Sequence, residues 1–186
     1  MSYFDLDDIL ASHQKVQCQF EKCVPKLGFF NPNATSDDIE EGEKIDLPSW
    51  LAQELHKNQR SIVSVEIPKC YGSSYQTILG ADAHVVDLNK LGPYFYAAGV
   101  DLISYGTTET RNLGKMLVQT FTGRFRWLMD KGMNASGEDK PHLMDKTELK
   151  LYTAAHLAAR AYIRWVYRES EFISATDASS AKRDKC

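Results

Sequence analysis

Two stretches in the second half of the chain carry more apolar helix surface than a polypeptide of 186 residues can cover by itself. Turned at about 100° per residue, residues 113–131 place Leu113, Met116, Leu117, Val118, Phe121, Phe125, Trp127, Leu128 and Met129 on an arc of roughly 220°. Residues 151–166 do the same with Leu151, Tyr152, Ala154, Ala155, Ala158, Ala159, Ala161, Tyr162, Ile163, Trp165 and Val166. A helix lying on one core needs little more than about 100° of apolar face. Each helix must therefore be covered on two sides, and the alanines of the second allow a close neighbour. The pattern is that of a subunit in an obligate assembly.

Within the first arc, "GRFRWLMDKG" at 123–132 mixes cations with rings, a combination that suits nucleic acid when both share one face. They do not share one here. Arg124 falls inside the apolar arc, whereas Arg126 sits about 160° away on the polar side. Arg124 must then be buried, and a buried guanidinium requires a carboxylate or carbonyl partner. The residues expected at a subunit interface are Phe121, Arg124, Phe125, Trp127, Leu128, Tyr152, Tyr162 and Trp165. On the last helix Arg160, Arg164 and Arg168, joined by Lys150, form a basic stripe at a spacing of four. A solvated face, an acidic partner and a DNA backbone all fit such a stripe.

The totals narrow the class. The chain has 43% hydrophobic and 25% charged residues, the balance of a folded globular protein. A net charge of −3 argues against nucleic acid as the main partner, since such domains run strongly basic. Acids at Asp5, Asp7 and Asp8 stand where a secretory signal carries lysines, and no run approaches the roughly 18 apolar residues of a membrane span. The triplets Asn33-Ala34-Thr35 and Asn134-Ala135-Ser136 are accordingly read as unglycosylated. Cys18, Cys23, Cys70 and Cys186 form no C-x-x-C pair, so reduced thiols in the cytosol or nucleus are expected rather than zinc or disulfides.

Phosphate-loop, dinucleotide, zinc-protease and nucleophile-elbow motifs are all missing. Asp82-Ala83-His84-Val85-Val86-Asp87 gathers ligand-type residues, but a helix start with a capping aspartate explains it better than a metal. His156 falls on the inward part of the last helix. No catalytic residue, metal or cofactor is expected.

The fold class expected is α+β, predominantly α, with a small β-rich domain over 1–68 and a helical domain over 69–174. In the first, a helix is expected over 5–14, strands over 16–20, 27–30 and 62–67, and a helix opening at Pro48. The acidic run 37–43 reads as a solvated loop. A module of about 65 residues buries only about 60% of its unfolded surface, so it should need a neighbour. In the second domain Gly92-Pro93 should open a helix to about 105, followed by helices over 109–131 and from Asp145 to about 170. The latter starts with a capping box, Asp145 to Glu148. Residues 132–141 read as a loop and 175–186 as a tail without fixed structure.

Six blocks carry a resemblance: "LDDIL" at 6–10, "PKLGFF" at 25–30, "LPSWLAQEL" at 47–55, "SIVSVEIP" at 61–68, "VVDLNKLGPYFY" at 85–96 and "QTFTGRFRWLMD" at 119–130. In this order they resemble the Psf-three family, one of four paralogous subunit families of the eukaryotic GINS complex. The resemblance implies a non-catalytic nuclear scaffold whose helical domain packs with Sld-five, Psf-one and Psf-two in a heterotetramer. It further implies that this tetramer joins the MCM hexamer and the Cdc-forty-five protein in the replicative DNA helicase, for initiation and elongation. DNA would then be met only through the helicase; direct contact by Arg160, Arg164 and Arg168 is the alternative. The blocks span about residues 5–135, so the last helix rests on periodicity alone.

Overall fold

The structure, a computed structural model, describes residues 4–31, 37–57, 62–106, 108–134 and 142–169. The expected tail 175–186, the Asn33 triplet and most of the 132–141 loop lie outside the described residues. Helix α1 (Leu6–Ser12) is opened by Asp5, whose carboxylate accepts from the Asp7 N–H. It is followed by β1 (Lys15–Phe20), β2 (Lys44–Pro48), α2 (Ser49–Lys57) and β3 (Val63–Val65). Then come α3 (Ser73–Ala81), α4 (Leu88–Leu91), α5 (Phe95–Ile103), α6 (Thr108–Met133) and α7 (Lys146–Val166). The class is α+β, mainly α.

The three strands form one antiparallel sheet in the order β2-β1-β3. Alternation in β1 sends Val16, Cys18 and Phe20 inward, opposite Leu47, Ile45 and Val63. Burial accordingly pushes the Cys18 thiol up to about 11. β2 escapes the sequence reading because "KIDLP" holds few apolar residues and Pro48 looks like a helix start. Pro48 instead ends an edge strand, where a missing N–H is tolerated, and α2 begins at Ser49.

Three further expectations are corrected. Residues 27–30 are not a strand: Gly28–Phe30 makes a single 3-10 turn after Lys26, which takes a positive φ of 63°. The acidic run is pinned at its centre, because Ile39 is fully buried and exchanges both backbone hydrogen bonds with Val24 at 3.0 Å. Gly92-Pro93 separates α4 from α5 rather than opening α5, and the Pro93 carbonyl accepts from the Lys146 N–H at 3.0 Å.

One hydrophobic cluster runs from the sheet into the helices, joining Phe20, Ile45 and Val63 to Tyr71, Phe95, Leu102, Leu113 and Leu117. At Gly99 a Cβ would stand 2.7 Å from Leu117 Cδ1, so glycine lets α5 lie close on α6. A polar seam closes the same junction. His56 lies 3.3 Å from the Val63 carbonyl and 3.1 Å from that of Tyr105, while Ser49 donates to Asp101 at 3.4 Å.

Candidate assembly surface

Helix α6 turns one stripe inward: Leu113, Met116, Leu117, Thr120, Arg124 and Leu128 are buried. The surplus of its apolar arc emerges as a second face. Val118 is 64% and Phe125 44% exposed, seven positions apart. Phe121 lies half-buried between them, its ring 5.8 Å from Phe125 and 5.7 Å from Tyr96. Trp127 is half-buried, with the His84 ring at 6.1 Å. Arg126 is exposed, as its place on the polar side requires.

Arg124 has no exposed surface, and its partners are the kind burial demands. Nε donates to Glu148 Oε1 at 2.8 Å and Nη2 to Glu148 Oε2 at 3.0 Å, a bidentate pair. Nη1 donates to the carbonyls of Ala83 at 2.5 Å and Val86 at 3.0 Å, and Nη2 also to that of Leu143 at 2.9 Å. All five guanidinium N–H groups are thus satisfied. Tyr96 adds its O–H to Glu148 Oε1 at 2.9 Å. Burial foremost, and then the Glu148 carboxylate, raise the Tyr96 phenol far above its ordinary value, so it remains a donor.

Asp145 completes this base. One carboxylate oxygen caps α7 by accepting from the Thr147 N–H at 3.1 Å, and the other accepts from the Phe95 N–H at 2.9 Å. The expected capping box is half realised: Asp145 caps, but Glu148 turns to Arg124 instead of reaching back. Lys150 also leaves its expected stripe, reaching Asp7 at 2.8 Å and Asp5 at 3.7 Å on α1. That hydrogen bond is the main reason the Asp7 carboxyl lies below its ordinary value.

The contacts of α6 with α7 keep one sense. Arg124 meets Glu148, and farther along Gly132 lies against Tyr152 and Ala155, where a Cβ would stand 2.8 Å from that of Ala155. The two helices therefore run in the same direction, and α6 stops at Met133. Helix α7 overshoots it. From Arg160 to Glu169 every residue is exposed, including Tyr162 at 64% and Trp165 at 67%. With Leu157, Ile163 and Val166 also exposed, this end is apolar over all but the face of Arg160 and Arg164, and no described residue of the chain covers it.

Of the residues expected at an interface, Phe125, Tyr162 and Trp165 are exposed, and Phe121 and Trp127 are half-buried. Arg124, Leu128 and Tyr152 are corrected: they lie inside the chain, the last two packed with Met144. Val118 and Leu157 are exposed apolar positions that the interface set lacks; the Val118 signal was present in its place on the α6 arc. Of the basic stripe, Arg160 and Arg164 share a helix face, but Arg168 lies past the helix end at φ 56°. There the Glu169 N–H bonds back to the Arg164 carbonyl at 2.8 Å, a Schellman-type stop.

No grouping of three His, Cys, Asp or Glu side chains suited to a metal occurs among the described residues. Asp82 accepts from the His84 N–H at 2.9 Å, and Asp87 caps α4. His156 stacks on Tyr152, the rings parallel at 6.2 Å. A groove of about 410 Å³ between α3 and α6 has one charged side chain in its lining, Lys115. No described helix is long and apolar enough to cross a membrane.

Fold and surface together define an α+β protein, sheet first and helices after, whose prominent feature is uncovered apolar helix. The family model described as "PSF3 N-terminal domain" matches residues 4–57. The chain is 38% identical over 179 residues to the "DNA replication complex GINS protein PSF3" of Xenopus laevis, across 95% of this chain and 85% of that protein. It is 37% identical over 184 residues to the protein of that name from Homo sapiens, with the same coverage. With the one from Phaeosphaeria nodorum it shares 34% over 174 residues, 89% of this chain and 96% of that protein. The chain belongs to the PSF3 family.

Proposed function

We propose that this protein is a non-catalytic structural subunit of a GINS complex in nuclear DNA replication, held in a heterotetramer by its uncovered helix surface. One observation carries the reading: the end of α7 presents Leu157, Tyr162, Ile163, Trp165 and Val166 to solvent, on every side but the one that carries Arg160 and Arg164. An apolar arc of roughly 220° is far wider than one core surface needs, and no described residue of this chain covers it, so the cover is supplied by another chain. The second face of α6, Val118 with Phe121 and Phe125, supplies a further contact. The three partner subunits are the Sld-five, Psf-one and Psf-two siblings. The assembled tetramer docks on the MCM hexamer with the Cdc-forty-five protein, and DNA is met through that machine. In this reading residues 1–68 form the smaller domain and 69–174 the helical one. The α7 surface favours protein over DNA, because aromatic and aliphatic residues outnumber the aligned cations there.

The test is co-expression with the three siblings, comparing the wild-type chain with a Tyr162→Ser, Trp165→Ser variant. Buried aromatic anchors typically cost 2 kcal/mol or more when truncated, about thirtyfold in affinity. The wild type should purify in a stable complex with one copy of each sibling and the variant should fall out of it. A variant that assembles normally overturns the reading, as does a wild-type chain that stays monomeric in the presence of all three siblings.

A further inference from the structure

We propose that the buried Arg124–Glu148 pair, with Tyr96, is a positioning device that sets the direction in which the free end of α7 leaves the molecule. This inference rests on the assembly reading above.

The argument begins with where α7 is held. Its contacts lie in the first half: Asp145 joins it to the Phe95 N–H, Lys146 donates its N–H to the Pro93 carbonyl, and Glu148 grips Arg124 and Tyr96. Tyr152 and Ala155 then lie against Gly132. From Arg160 to Glu169 every residue is exposed among the described residues. The helix is a cantilever with a clamped base. Glu148 to Trp165 spans about 25 Å at 1.5 Å per residue, so a tilt of about 10° at the base moves Trp165 by roughly 4 Å. Packed interfaces do not absorb shifts of that size.

Apolar packing alone fixes such an angle poorly. Leu128, Met144 and Tyr152 make a small cluster whose attraction is non-directional. The guanidinium fork differs, because its five donors reach three elements at fixed angles: the 83–86 segment, Leu143 and α7. Buried pairs of this kind contribute little net stability against apolar replacements, and some are retained because they specify one arrangement. An ammonium in place of the guanidinium would keep the charge and lose the fork. Direction and stability are therefore separable here.

The experiment uses the full chain with nitroxide labels on unnatural ketone side chains at exposed Gln119 and Arg160, one on α6 and one on the free end of α7. The label distance, thermal melting and affinity for the three siblings are measured for wild type, Arg124→Lys, Tyr96→Phe and the Tyr162→Ser, Trp165→Ser variant. Expected for Arg124→Lys are a retained cooperative melt, a label distance broadened or moved by about 3 Å or more as the lever length implies, and affinity at least about tenfold weaker under conditions where the chain is fully folded. Tyr96→Phe removes one hydroxyl and should act in the same direction, about threefold on affinity, with melting unchanged. A folded Arg124→Lys with wild-type distance and affinity overturns the proposal. If Arg124→Lys does not fold, Tyr96→Phe decides in the same way. The surface variant should keep the wild-type distance and lose binding. If it binds normally the assembly reading fails, while the distances still judge the clamp.

Discussion

The base of α7 and its free end are turns of one helix in opposite conditions. Around Asp145, Glu148, Tyr152 and Ala155 the side chains are buried, and no buried side-chain nitrogen or oxygen among the described residues lacks a partner. Some ten residues on, Tyr162 and Trp165 stand in water. Burial of apolar surface drives folding in the first region and is deferred in the second. On the proposed assembly, the chain folds at one end of the helix and associates at the other, and substitutions should divide accordingly.

The largest effect should come from Arg124→Ala. It leaves Glu148 charged in the interior and the Ala83 and Val86 carbonyls without their donor, which costs on the order of 3–5 kcal/mol. Arg126→Ala, on the opposite side of the helix and exposed, should stay within about 0.5 kcal/mol. Denaturant melts of both variants check this, and equal losses would break the contrast between a clamped and a solvated arginine. Next comes Gly132→Ala. Its Cβ would meet that of Ala155 at 2.8 Å and the Tyr152 carbonyl at 3.2 Å, so α7 must move aside, at about 1–3 kcal/mol. Unchanged melting would show that the helices are less close than they stand here.

Asp145→Ala should cost about 1–2 kcal/mol, since it uncaps α7 and strands the Phe95 N–H. Asp145 also carries a pH signature. Burial holds its carboxyl above the ordinary 3.8 despite the N–H groups it accepts from. The folded chain then binds this proton more tightly than the unfolded chain. Stability from this group is full below the ordinary value and is lost as pH rises through the folded one. Melts across acid pH should show the gap between wild type and Asp145→Asn shrinking as pH increases; a gap that widens would reverse the assignment.

How much of this was legible in the letters follows from what each inference needed. Period-2 alternation sufficed for β1, and period 3.6 for α6, α7 and the burial of Arg124, because these depend on neighbours a few positions away. That Arg124 must find a partner was legible too; that the partner is Glu148 was not, since Glu148 also suits a capping box at Asp145. β2 was lost because Pro48 suits a helix start as well as an edge strand. Residues 27–30 misled because Leu27, Phe29 and Phe30 look like strand, while Lys26 turns the chain at positive φ and Gly28–Phe30 closes as a 3-10 turn. The interface set mixed Leu128 and Tyr152 with Tyr162 and Trp165 because a wheel gives angle but not height. Which turn of α7 passes the end of α6 depends on the two helices running in the same sense, and the residues between them encode that only through the fold.

The smallest effect on folding, and the sharpest form of the comparison, belongs to Trp165→Ala. In the free chain the ring is two-thirds exposed, so its loss should change stability by no more than about 0.5 kcal/mol, against the 3–5 kcal/mol typical of a tryptophan in a core. In the assembled complex the same substitution should cost at least about 2 kcal/mol of affinity, because the ring is then an anchor in a desolvated pocket. Paired measurements, a denaturant melt of the chain alone and a titration against the siblings, give the two numbers for one side chain. A large loss in the free chain would mean that α7 folds back on its own body. A small loss in both would mean that the exposed end is not where the neighbours sit. Only the combination of a silent melt and a weakened titration fits a helix clamped at its base and completed by another chain at its tip.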